Sequence, residues 1–174
     1  MYKKVVVFII LLLILGNCER IDDPINKDFV CESENNSINF IFKYGITLKN
    51  ILNTFDCKYQ KDLILDPPIE INLKLSKTEI DSIYTKMIEI NFLEYPDTFI
   101  INFSTDTIPE ITPSMIYYFY LENDSIQKQF YWDDAHPIQD DKADDLRSLM
   151  MEVIEIIHSK DEYKNLPDPR GGYI

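Results

Sequence analysis

Glycine, histidine, cysteine and basic residues are all scarce in this sequence, and each shortage removes a class of function. Four glycines occur among 174 residues, two of them in the last four positions. Loops that wrap phosphate in backbone N–H groups need clustered glycine, so no nucleotide-binding loop of that kind is present. There is no Gly-x-Ser-x-Gly elbow, and no Ser-x-x-Lys in a suitable context. The two histidines, His136 and His158, lie too far apart for a His-Glu-x-x-His zinc pattern. The three cysteines form no Cys-x-x-Cys and have no neighbouring histidine, which leaves redox and zinc chemistry without a basis. Lys and Arg number 17 against 30 Asp and Glu. A polyanion repels phosphate backbones, so a nucleic-acid partner is excluded. An apolar run long enough to cross a bilayer is missing too: Val5–Leu15 is eleven residues, against the ~20 that a membrane-spanning helix needs.

That short run is nevertheless informative. Lys3 and Lys4 precede it, and Leu15-Gly16-Asn17-Cys18 follows, the build of a secretory signal peptide over residues 1–17. The Leu-x-x-Cys ending resembles the lipobox of bacterial lipoproteins, in which the cysteine is acylated and becomes the new N-terminus. On that reading Cys18 carries lipid, palmitate included, and the membrane is engaged through it. An ordinary cleaved signal followed by an unmodified cysteine is the plainer alternative. Removing Lys3 and Lys4 leaves 15 basic against 30 acidic residues, so no basic face is available to hold anionic lipid. Residues 18–36 are polar, contain Pro24 and a Ser33-Glu34-Asn35-Asn36 cluster, and read as lipidated cysteine plus flexible tether. Outside the cytoplasm Cys31 and Cys57 are free to form a disulfide, with two free thiols as the alternative.

The remaining residues, 37–174, number 138, enough for one domain with a real core. A hydrophobic content of 45% and an aromatic content of 13% exclude disorder for this body. Ile38, Phe40 and Phe42 alternate with polar residues up to Gly45, which is a strand. The segment Thr47–Leu65 is weaker and reads as two short strands. Pro67-Pro68 reads as a break, and Ile69, Ile71, Leu73 and Leu75 then alternate as a half-buried strand. Ser76-Lys77-Thr78-Glu79 is a capping box, and Ile80, Ile83, Tyr84, Met87 and Ile90 form the apolar stripe of a helix over Ser76–Phe92. Phe99-Ile100-Ile101 and Phe103 suggest a short strand. A final helix runs Asp140–Ser159, with Ala143, Leu146, Met150, Val153 and Ile157 facing inward.

Met115–Leu121 and Ile126–Trp132 form the clearest hairpin. A two-residue turn at Asn123-Asp124 places Leu121 opposite Ile126, Tyr117 opposite Phe130 and Met115 opposite Trp132. Met115, Tyr117, Phe119, Leu121, Ile126, Phe130 and Trp132 then share one side. Tyr118, Tyr120 and Tyr131 share the other with Gln127 and Gln129. Tyrosine offers a large contact area with a polar tip, so this second side is the candidate binding face. Alternatively a helix or another strand covers it as a second core. Asp133, Asp134 and His136, ahead of the last helix, are the one cluster with cation-ligating chemistry. Their spacing fits no EF-hand and no zinc pattern, and acidic loops before helices usually cap them. No metal and no cofactor is expected.

Several stretches read together are distinctive: Phe42-Lys43-Tyr44-Gly45, Asn53-Thr54-Phe55, Lys61-Asp62, Asp66-Pro67-Pro68, Ile83-Tyr84-Thr85-Lys86-Met87, Asn91-Phe92-x-x-Tyr95-Pro96-Asp97 and Glu162-Tyr163-Lys164-x-Leu166-Pro167. They resemble a family of small bacterial lipoproteins, with similar segments in the extracytoplasmic parts of antirepressor-type sensor metallopeptidases. The likeness covers roughly residues 38–174. It implies a location in the cell envelope and a domain type, and it carries no activity with it.

The sequence therefore predicts one α+β domain in loose ββα–ββα order: an antiparallel sheet of four to six strands with two main helices on one face. The expected function is a non-catalytic, lipid-anchored extracytoplasmic module that binds or senses, with an envelope protein as partner. The alternatives are an envelope hydrolase or metal-dependent enzyme, and a structural or inhibitory surface lipoprotein.

Overall fold

A computed structural model describes Cys31 and residues 38–101, 110–136 and 138–173. The signal peptide, Cys18 and the rest of the tether lie outside the described residues, as does Phe103. No described helix is long and apolar enough to cross a membrane.

The domain is α+β. Seven strands, more than the four to six expected, form one sheet: β1 Asn39–Gly45, β2 Asn50–Asn53, β3 Lys58–Leu63, β4 Asp66–Asn72, β5 Thr98–Phe99, β6 Met115–Glu122 and β7 Gln127–Asp134. Their order across the sheet is β4-β3-β2-β1-β6-β7-β5. Strands β1 to β4 form an antiparallel meander, and β1 pairs antiparallel with β6 to join it to the β6–β7 hairpin. Strand β5 departs from the expected all-antiparallel sheet, because it lies parallel to β7 through Thr98↔Tyr131 and Phe99↔Trp132. The short strand expected around Phe99–Ile101 is present as Thr98–Phe99, but two residues are too short a stretch to show a period, so its direction and its place at the edge are not readable from sequence.

Two further corrections concern β4 and the hairpin. Pro67 and Pro68 lie inside β4 rather than breaking the chain before it. They are tolerated because β4 is an edge strand, and the β3–β4 register shifts between Lys61 and Leu63 alongside them. In the hairpin, Leu121 faces Lys128, Tyr117 faces Trp132 and Met115 faces Asp134. The turn is wider than two residues because Asn123 Oδ1 accepts from the N–H groups of Ser125 and Ile126, both at 2.9 Å. The resulting shift is two residues, an even number, so every side chain keeps its expected face.

Helix α1, Lys77–Glu89, starts at the Ser76 cap, where Ser76 N–H donates to Glu79 Oε2 at 2.7 Å and Glu79 N–H donates to Ser76 Oγ at 3.3 Å. It ends earlier than Phe92 because Asn91 adopts a left-handed φ of 52°, and Phe92–Glu94 continue as a 3₁₀ turn. Helix α2, Asp141–Ser159, is capped by Asp140, whose side chain accepts from Ala143 N–H at 2.9 Å. A one-turn helix α3, Asp161–Lys164, follows it.

The core lies between α1 and α2 and one face of the sheet. Phe40 and Phe42 of β1, Phe119 of β6, Phe130 and Trp132 of β7 and Phe92 are fully buried there with Ile80, Ile83, Leu146, Met150 and Val153. The Phe42 and Phe119 rings stack at 4.6 Å, and Phe92 meets Phe119 edge-on at 5.6 Å.

Candidate functional site

Both long helices contribute their buried residues to this one core, so the opposite face of the sheet carries neither of them. Strand alternation sends Ile41 and Lys43 of β1, Tyr118 and Tyr120 of β6 and Tyr131 of β7 to that face. Register then sets neighbours: Lys43 is opposite Tyr118, and Tyr118 is opposite Tyr131. The Lys43 ammonium sits 5.4 Å from the Tyr118 ring centroid. Tyr120 packs near Phe55 at 6.2 Å, accepts from Gln127 Nε2 at 2.8 Å and donates its hydroxyl to Glu122. That bond to Glu122, the largest cause, holds the Tyr120 hydroxyl above its ordinary pKa. Tyr131 is the most open of the three, 37% exposed. The candidate tyrosines are thus brought together on one surface, among isoleucine, amide groups, the Lys43 cation and the Glu122 carboxylate.

The acidic loop is put to another use. Arg147 grips Asp134 with two bonds, Nε to Oδ2 at 2.9 Å and Nη2 to Oδ1 at 2.6 Å. The same guanidinium donates to the His136 and Ile138 carbonyls, binds Asp144 at 2.7 Å and lies 5.6 Å from the Trp132 ring centroid. Asp133 accepts from Ser114 Oγ. Among the described residues no group of His, Cys, Asp and Glu is arranged to hold a metal ion. Asp134 and the His136 carbonyl are tied by Arg147 into a staple between β7 and α2, whereas Asp133 is held by Ser114. Cys31 and Cys57 are joined in a disulfide with Cα atoms 5.7 Å apart.

A second place, not singled out by sequence, lies where β1 and β3 end beneath α2 and α3. A cavity of about 240 Å³ is lined there by Tyr44, Lys61, His158, Tyr163, Pro169 and Tyr173, among others. Its outer wall is the C-terminal segment, where Arg170 N–H donates to the Leu63 carbonyl at 3.3 Å and the Arg170 guanidinium binds Asp66. Gly171 turns that segment at φ +85°, where a Cβ would meet Leu65 Cδ1 at 2.9 Å. The Tyr173 hydroxyl donates to Asp62, which also accepts from Thr47 Oγ1 at 3.1 Å and Ile64 N–H at 3.0 Å. Burial alone would raise the Asp62 pKa. These three donors and the Lys49 charge outweigh it and hold the carboxyl below its ordinary range.

Lys61 stands out in this cavity. It is 5% exposed, on the inner face of β3 between Tyr59 and Leu63, and its ammonium lies 4.6 Å from the Tyr163 ring centroid. Tyr163 stacks on His158 at 4.3 Å and meets Tyr59 edge-on at 5.7 Å. Burial, then the Lys61 charge, lowers the His158 pKa, so the imidazole is neutral at pH 7. The signal that marks Lys61 in sequence is its place in the Tyr59-x-Lys61-x-Leu63 alternation, where an apolar residue belongs. The chain matches no protein-family model and no curated protein. The reading of both places therefore rests on their own geometry.

Proposed function

We propose that this protein is a non-catalytic, lipid-anchored extracytoplasmic binding module that engages a partner protein through the open face of its sheet. The observation that carries the reading is the one-sided placement of α1 and α2, opposite the Tyr118, Tyr120 and Tyr131 surface. Rigid tyrosines on a sheet give contact area at low entropic cost, which is what association must overcome. The chain has 30 acidic residues, yet Lys43 is the charge at the centre of this patch. A complementary partner presents a flat surface with a carboxylate opposite Lys43. Leu15-Gly16-Asn17-Cys18 supports the anchor, which would hold the domain at the membrane and raise its effective concentration toward a neighbour there.

The test has two arms on the full chain in its own host. Cys18→Ala should move the protein from the membrane fraction to the soluble one. Lys43→Glu combined with Tyr131→Ala should abolish co-purification of the partner while leaving the fold intact. Unchanged membrane partitioning would refute the anchor, and an unchanged partner would refute the face.

A further inference from the structure

The cavity at the end of β1 and β3 is distinct from the open sheet face, and its chemistry points to a different kind of ligand. We propose that it binds a small organic monocarboxylate with a compact apolar body, the carboxylate meeting the Lys61 ammonium. Three observations support this. First, Lys61 is 5% exposed, yet among the described residues its ammonium has no hydrogen bond and no ion pair, only the Tyr163 ring at 4.6 Å. The side chain is buried while Lys61 lines the cavity, and a largely desolvated cation gains from a counter-charge there, because a ring face offsets only part of the cost of burial.

Second, the carboxylate that lines the cavity, Asp62, makes no ion pair with Lys61 and has its oxygens taken up by other donors. Asp62 is engaged by Tyr173, Thr47 and the Ile64 N–H, and Asp168, whose charge acts on the Tyr163 hydroxyl, makes no ion pair with Lys61. The site thus offers one unpaired cation and one carboxylate already held by three donors, beside the imidazole of His158 and the hydroxyl of Tyr163. One ammonium suits a monoanion. A phosphate dianion would want the several charge-assisted donors of an arginine fork or a backbone nest, and neither lines this cavity. Third, Ile46, Ile64, Met115 and Pro169 give the cavity an apolar stretch of wall, next to the polar groups of Asn50, Asp62 and Tyr173. At about 240 Å³ the space exceeds the ~150 Å³ that accommodates a benzene ring, so a ring or a branched chain bearing one carboxylate fits.

Benzoate, its neutral isostere benzamide and inorganic phosphate serve as probes on the full chain in detergent, followed by calorimetric titration and by the His158 ring resonances. Benzoate should bind saturably and move the His158 signals. Benzamide and phosphate should bind at least about tenfold more weakly, the factor expected for one charge-assisted contact. Lys61→Met, which keeps the stem and removes the charge, should lose that tenfold preference and melt no lower than the natural chain. Equal binding of benzoate and benzamide to the natural chain would overturn the proposal, and that comparison stands even if Lys61→Met fails to fold. Benzoate binding unchanged in Lys61→Met, or no saturable binding at all, would overturn it as well.

Discussion

Replacing Phe119 by alanine is the sharpest probe of how the two faces of the sheet differ. Phe119 is 0% exposed, and its ring meets Phe42 at 4.6 Å, Phe40 at 5.5 Å and Phe92 at 5.6 Å. An aromatic side chain buries about 150–250 Å², which at about 25 cal/mol per Å² corresponds to roughly 4–6 kcal/mol for full transfer. Alanine keeps part of that area but leaves a cavity that the surrounding rings fill only partly, and such changes cost about 3–5 kcal/mol. Three ring partners place Phe119→Ala toward the upper end, about 4–5 kcal/mol. Phe119→Leu leaves a smaller void and should cost roughly 1.5 kcal/mol, which keeps the series measurable if the alanine variant is too unstable. On the opposite face, Tyr131→Ala removes a partly exposed ring whose main neighbour is Tyr118 across the strands. A cross-strand pair of that kind contributes about 0.2–1 kcal/mol, so a loss near 1 kcal/mol is expected. Urea melts with unchanged slope give all three values. Equal, large losses at Phe119 and Tyr131 would refute the reasoning, because they would mean that both faces are covered.

Three further outcomes follow from the described contacts. Arg147→Gln leaves Asp134 mostly buried without its bidentate partner and should cost about 2–3 kcal/mol in the same melts, whereas a loss under about 0.5 kcal/mol would remove the staple from the account. Thiol counting on the denatured, unreduced protein should find neither Cys31 nor Cys57 reactive, and replacing both by serine should cost about 3.5 kcal/mol for a separation of 26 residues. Asp62 and Glu79 both titrate below their ordinary values of 3.8 and 4.5, Asp62 for the reasons given and Glu79 because bonds from Lys160 and Ser76 outweigh the effect of its burial. A lowered folded pKa means the stabilisation is present above the ordinary value and is lost as pH falls through the folded one. Stability should therefore decline on acidification below those values, and Asp62→Asn should flatten part of that decline; an unchanged acid limb would contradict the Asp62 contacts.

What was legible in the sequence is what is decided locally. Alternation in Ile38–Phe42 and in the hairpin reports which side chains point inward, because a strand's period is two whatever its partner. Ser76 and Asp140 mark helix starts because a cap acts on N–H groups within its own first turn. What escaped depends on distant parts of the chain. The hairpin register turns on the two bonds of the Asn123 side chain, and alternation is blind to a shift of two. Pro67 and Pro68 are acceptable only because β4 became an edge, a property of the whole sheet order. The Lys61 cavity is further still from view: its walls come from the ends of β1 and β3, from α2 and α3, and from a C-terminal segment whose Tyr173 lies 111 residues from its partner Asp62. The three tyrosines needed only the hairpin's alternation to be grouped, but that neither α1 nor α2 covers them required knowing where those two helices pack.

The central claim, that the tyrosine face is where a partner binds, is tested most directly by a photoreactive phenylalanine placed at single positions of the full chain in its native host. Position 131 reports on the open face, and position 151, where Met151 is 48% exposed on α2, reports on the other side of the domain. The account predicts one discrete cross-linked adduct from position 131, its disappearance when Lys43→Glu is added, and none from position 151. Absence of an adduct at 131, equal adducts at both positions, or an adduct indifferent to Lys43→Glu would contradict it.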